Sequence, residues 1–250
     1  MYVTHQFFPL FLRPIKVYSD KGQYIAKDEW KMKERNQKNI CVSLWLLVSF
    51  ILWTVAISCL DVQAIGPNGS SVGFATLNGF VHKLTGVHMA LYTITDWLGL
   101  VPLCFALGFA LLGLVQLIQR KSVLKVDYSI LVLGGFYILV MAAYFFFEVF
   151  VINYRPVLIN GHLEASYPSS TTMLVMCVIP TAMMQLKTRI SNQTIRKVIL
   201  GVLAVFTAFM VIGRLISGVH WLTDIVGGAL LSAGLVMLYD SVSSLSIQKA

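Results

Sequence analysis

The sequence predicts an all-α, six-transmembrane-helix bundle. Three observations carry that expectation. Only 12% of the 250 residues are charged and 57% are hydrophobic, where soluble domains carry roughly 25% charged residues. Six apolar runs are long enough to cross a bilayer, near 40–60, 95–118, 128–151, 169–187, 197–217 and 219–240. The third observation is how Lys and Arg fall between them.

Eight Lys and Arg lie in residues 1–40, and Arg120, Lys121, Lys125, Lys187, Arg189, Arg196, Lys197 and Lys249 fall in alternate connectors and at the C-terminus. The opposite side holds Lys83, Arg155 and Arg214. The positive-inside rule then places both termini in the cytoplasm, as an even number of spans requires. The net charge of +8 is therefore a topology signal, with added attraction for anionic lipid head groups. It is not the clustered basic face of a nucleic-acid binder.

Residues 1–38 read as a basic cytoplasmic N-terminal segment, in which Phe7, Phe8, Phe11 and Trp30 are suited to a membrane interface. The first residues lack the basic region and apolar core of a cleavable signal, so the span near Cys41 is expected to act as an uncleaved anchor. Residues 39–245 form a single membrane domain. Within it, 61–94 is too polar to span and reads as an extracytoplasmic interfacial segment. Gly66-Pro67-Asn68-Gly69 marks a turn, and Phe74, Leu77, Phe80, Val81 and Leu84 recur at helical spacing. Cys41, Cys59, Cys104 and Cys177 lie in or beside apolar runs without paired spacing and read as packing residues.

Ionisable residues near hydrocarbon are expensive and mark function. Those at the outer ends of spans three to six fall in three stretches: Glu148 to Pro156, His162 to Thr172, and Arg214 to Asp224. His220 and Asp224 are four apart and share a helix face. A carboxylate there orients one imidazole nitrogen and frees the other to attack. Across the Ser217-Gly218 turn, Arg214 offers a planar fork for two phosphate oxygens. The bland reading of the same residues is a structural Arg–Asp pair beside an interfacial histidine. Pro168-Ser169-Ser170-Thr171 precedes an apolar helix, whose free N–H groups suit an anion. Arg155-Pro156, alone, would read as an interfacial anchor.

At these residues the chain resembles the type-2 phosphatidic acid phosphatase superfamily, which shares its core with vanadium haloperoxidases. The family motifs are Lys-x6-Arg-Pro, Pro-Ser-Gly-His and Ser-Arg-x5-His-x3-Asp; this chain has Glu148-x6-Arg155-Pro156, Pro168-Ser169-Ser170-Thr171 and Gly213-Arg214-x5-His220-x3-Asp224. The resemblance implies a multi-pass cell-membrane phosphatase with its site on the extracytoplasmic face, needing no metal or other cofactor. It implies that His220 attacks phosphorus to form a phosphohistidine, that Asp224 orients it, and that Arg155, Arg214, Ser169 and Ser170 hold the phosphoryl oxygens. The substrate expected is a lipid phosphate or lipid diphosphate.

Two departures bear on the chemistry. Thr171 replaces the histidine that protonates the leaving group, a role worth about 10²–10⁴ in rate, and Glu148 replaces a phosphate-binding lysine. Three outcomes are compatible with them. Another acid serves, from His162, Glu164 or a Glu148 kept protonated by burial. A polyprenyl diphosphate, whose leaving group needs less protonation, is the substrate. Or the chain binds a lipid phosphate without hydrolysis, or transfers the phosphoryl group to another acceptor.

Overall fold

The computed structural model describes residues 20–244, with side chains from residue 33 onward. Phe7, Phe8 and Phe11, and the side chain of Trp30, lie outside the described residues. The described chain is all-helical, with only isolated β-bridges outside the helices. Eight α-helices follow one another: α1 (Asp20–Cys59), α2 (Ala75–Thr85), α3 (Met89–Leu98), α4 (Leu100–Arg120), α5 (Tyr128–Val149), α6 (Ser170–Arg189), α7 (Gln193–Ile216) and α8 (Leu222–Ser244).

Five helical stretches among the described residues are long and apolar enough to cross a membrane: Lys33–Cys59, Met89–Arg120, Tyr128–Val149, Gln193–Ile216 and Leu222–Ser244. Their outward faces carry Leu44, Trp45 and Leu52 on α1, Leu107 and Ile118 on α4, Ile138 and Phe145 on α5, and Val202 and Val205 on α7, all exposed. Lipid, not protein, is the natural solvent of such a surface. The run expected to span at 169–187 is α6, and it does not meet the same measure of length and apolarity. The reason is packing. Helix α6 is wrapped by α4, α7 and α8 and buries Thr172, Met173, Val175, Cys177, Ile179, Thr181 and Gln185. A helix solvated by other helices keeps hydroxyl and amide groups that a lipid-facing helix would shed. Gln185, for example, donates to the Tyr239 hydroxyl at 2.6 Å.

The second expected span begins earlier and is broken. Helix α3 starts at Met89 and yields to α4 at Gly99. Because α3 packs on α7, it carries Tyr92, Thr95 and Asp96 toward the end of α7 that holds Arg214. Between α1 and α3, the turn at Pro67–Gly69 and the helix α2 appear where the sequence placed them. Helix α2 turns Leu77, Phe80 and Leu84 outward and buries Asn78. That amide donates to Thr223 Oγ1 (2.9 Å) and Gly73 O (2.8 Å) and accepts from the Thr223 N–H (3.2 Å), so α2 caps the start of α8.

Helix α8 is the axis of the bundle. Gly227 lets the Tyr167 ring lie on it, since a Cβ there would stand 2.4 Å from that ring. Tyr167 in turn stacks on Phe50 and bonds the Thr54 hydroxyl at 2.7 Å, which ties the segment before α6 to α1. The basic connectors gather at the opposite end, where Arg120 and Arg189 flank Asp127 at 2.9 and 3.6 Å.

Candidate active site

The turn from α7 to α8 frames the site. Gly218 has φ +69, and a Cβ on it would lie 1.9 Å from Gly86 O, so this position admits only glycine. The close approach lets the α2–α3 connection clasp the turn: the His88 N–H donates to Ser217 O at 2.9 Å, and His82 Nε2 donates to Gly218 O at 3.1 Å. Trp221 Nε1 donates to Tyr154 O at 2.7 Å, which anchors a hairpin running from Tyr154 to Ala165. The base of that hairpin is fixed by Arg155 N–H to Glu164 O and Ser166 N–H to Asn153 O. These bonds bring together the three stretches that the sequence singled out.

His220 and Asp224 are both buried. Their nearest approach, Nδ1 to Oδ2, is 3.7 Å, which is too long for a hydrogen bond. The Ser166 hydroxyl sits between them. It lies 3.1 Å from His220 Nδ1 and donates to Asp224 Oδ2. The same Oδ2 accepts the Trp221 backbone N–H at 2.8 Å. Burial, more than anything else, pushes the imidazole down from 6.5 to about 4; Asp224 opposes this, and Arg155 and Arg214 add to it. His220 is therefore neutral at neutral pH.

Arg214 is 1% exposed, an extreme burial for a guanidinium. Its Nη1 lies 3.4 Å from Thr95 Oγ1, its Nη2 lies 3.6 Å from Asp96 Oδ1, and its Cζ stands 4.9 Å from the centre of the Tyr92 ring. Arg155 approaches the same ring at 5.8 Å. Its Nε is 3.2 Å from Glu164 Oε2, within ion-pair distance although the N–H is not aimed at the carboxylate. Tyr92 thus holds two cations side by side that would otherwise repel. Several buried polar atoms here have no hydrogen-bond partner among the described residues: His220 Nε2, Asp224 Oδ1, Arg155 Nη1 and Arg214 Nε. Such atoms are rare in folded proteins and concentrate at functional sites.

At the start of α6, Ser169 acts as the cap. Its Oγ accepts the Thr172 N–H at 3.4 Å, and its N–H donates to Asp224 O at 3.1 Å. Ser170 and Thr171 are half-buried. Together with Asp96 they form the polar rim of a groove of about 320 Å³, walled by Leu100, Leu103, Val140, Met141 and Leu174. Glu148 is exposed, which overturns the expectation that burial keeps it protonated. It ends α5, a turn that belongs to the surface. It interacts with Tyr144 and lines a small cleft with Ser166 and Ser170. His162 is exposed beside the hairpin tip, away from the base that carries Arg155, and Glu164 is committed to Arg155. Ser166, Tyr92 and Asn78 were not singled out by the sequence. No spacing rule marks them, because each reaches the site from a different element.

Residues 136–244, which hold all of the motif residues, match the family model of the PAP2 superfamily. This match, over rather less than half of the chain, supports the resemblance to the type-2 phosphatidic acid phosphatase superfamily. Among solved structures, the fold of this chain is similar to the crystal structure of a transmembrane PAP2-type phosphatidylglycerolphosphate phosphatase from Bacillus subtilis. The two share 19% identity over 83% of this chain and 96% of the other, with a TM-score of 0.53. No curated protein matches the chain. The five long apolar helices and the likeness to a membrane protein of this fold make the chain a multi-pass membrane protein, and the family-model match relates it to phosphatases.

Proposed function

We propose that this protein hydrolyses a lipid phosphate or polyprenyl diphosphate through a phosphohistidine. One observation carries the reading: a buried, neutral His220, fixed on its Nδ1 side, has an unpartnered Nε2 beside the unpaired Arg155 Nη1 and Arg214 Nε. Nε2 attacks phosphorus, and the bond from phosphorus to the leaving oxygen breaks. Arg155 and Arg214 balance the charge of the transition state, where preorganised donors act most strongly. Asp224 balances the imidazolium that forms. Water then cleaves the P–N bond, releasing phosphate and restoring neutral His220.

Thr171 favours a substrate whose leaving group departs without much protonation, hence a diphosphate. The apolar groove that ends at Asp96, Ser170 and Thr171 suits the chain of a lipid. On this reading α6 is a sixth span surrounded by protein. Both termini are cytoplasmic, residues 1–38 form a basic cytoplasmic segment, and the site opens on the extracytoplasmic face with α2 in the interface.

The test is phosphate release by detergent-purified protein from a panel of lipid monophosphates and diphosphates, with chemical trapping of an acid-labile phosphoprotein. His220→Ala is expected to abolish both. Tight binding of these lipids without turnover, unchanged in His220→Ala, would replace the enzyme by a lipid-phosphate binding protein.

A further inference from the structure

Proton counting around His220 leads to a residue outside the three motifs. The Asp224 carboxylate has no proton to give. The Ser166 hydroxyl has one, and it is directed at Asp224 Oδ2. Its 3.1 Å contact with His220 Nδ1 must then run the other way, with the imidazole N–H donating to Ser166 Oγ. That places the proton on Nδ1 and the lone pair on Nε2, the atom without a partner.

We infer that Ser166 is a positioning residue that links Asp224 to His220, fixes the nucleophilic tautomer and holds the carboxylate one hydroxyl away from the imidazole. The inference rests on the phosphohistidine reading above. Ser166 is 2% exposed and has little freedom to do otherwise. Its N–H is bonded to Asn153 O at 2.9 Å, and the next residue, Tyr167, is fully packed between Phe50 and Gly227. The same carboxylate oxygen also accepts the Trp221 N–H, which fixes Asp224 in place, so the serine fills a gap that Asp224 does not close by itself.

The spacer has a chemical consequence. A carboxylate bonded directly to an imidazole makes it more basic; an intervening hydroxyl weakens that effect. The charged groups that act on His220 are Asp224 from α8, Arg214 from α7 and Arg155 from the hairpin, while His82 of α2 is engaged with Gly218 O and the Trp221 ring. Burial, with a smaller contribution from the two arginines, keeps the imidazole neutral, and the serine limits how far Asp224 opposes this.

The experiment is kcat and KM against pH for the wild type and for Ser166→Ala, Ser166→Cys and His220→Ala. Nitrogen NMR of labelled histidine reads the tautomer of His220. In Ser166→Ala, kcat is expected to fall about 10- to 100-fold, the scale of a misplaced reacting group, with KM nearly unchanged. Asp224, whose Oδ1 is free, turns toward Nδ1, and the acid limb of kcat/KM moves to higher pH. Ser166→Cys keeps the volume with a weaker donor, and it shows the same shift in smaller measure. It also decides the matter if the alanine variant does not fold. A wild-type pH profile and an unchanged tautomer signal in the Ser166 variants, with His220→Ala inactive, would overturn the inference alone. Activity retained in His220→Ala would overturn the phosphohistidine reading beneath it.

Discussion

Replacing Asp224 by Asn removes one charge and almost nothing else. Oδ2 takes both hydrogen bonds, from Ser166 and from the Trp221 N–H, while Oδ1 has no partner among the described residues. An asparagine therefore sets its carbonyl oxygen at the Oδ2 position and its amide nitrogen at the Oδ1 position, and the turn keeps its shape. On the proposed phosphohistidine mechanism, what is lost is the attraction between the carboxylate and the imidazolium formed when Nε2 attacks phosphorus. At the observed 3.7 Å separation, with an effective dielectric constant of about 20, that attraction is about 4 kcal/mol. It corresponds to roughly a 10³-fold loss in kcat. KM should change little, because His220 is neutral in the ground state and the charge acts only in the transition state. The assay is steady-state phosphate release, with thermal unfolding as the control for folding. A variant within about tenfold of wild type, or one whose loss lies in KM, would refute the role given to Asp224.

Three other outcomes are expected. Gly218→Ala should destabilise the protein by at least the cost of a left-handed alanine, about 1–2 kcal/mol, because φ is +69 and Gly86 O blocks the Cβ; a lowered midpoint in circular dichroism melts would check it. Asn78→Ala should destabilise by about 2–3 kcal/mol, since the Thr223 N–H and Gly73 O lose a buried partner, and the same melts apply. Acid should destabilise the protein through His220, which takes up its proton near 6.5 when unfolded but only near 4 when folded. The unfolded state thus binds the proton first, so this contribution is constant above about pH 7, declines as pH falls through 6.5 and reaches about 3 kcal/mol of loss near pH 4. His220→Gln should flatten that part of the stability–pH curve.

The sequence by itself determined the solvent, most of the spans and the identity of the candidate nucleophile. Those are written locally: runs of apolar residues, a biased scatter of Lys and Arg, and a four-residue spacing from His220 to Asp224 that any helix start preserves. Arg155 and Arg214 were legible because a guanidinium near hydrocarbon is costly and rarely idle. Tertiary structure decided the rest. It made α6 a helix packed among α4, α7 and α8, where hydroxyl and amide groups find partners. It left Glu148 on the surface, because the end of α5 is open there. It also brought Ser166, Tyr92 and Asn78 to the site from a loop, from α3 and from α2. Their roles depend on which atoms lie within three to four ångströms across the fold, and no spacing along a chain records that. The His220–Asp224 pair shows the division best: the sequence named both partners, but only the fold set them 3.7 Å apart with a serine hydroxyl between.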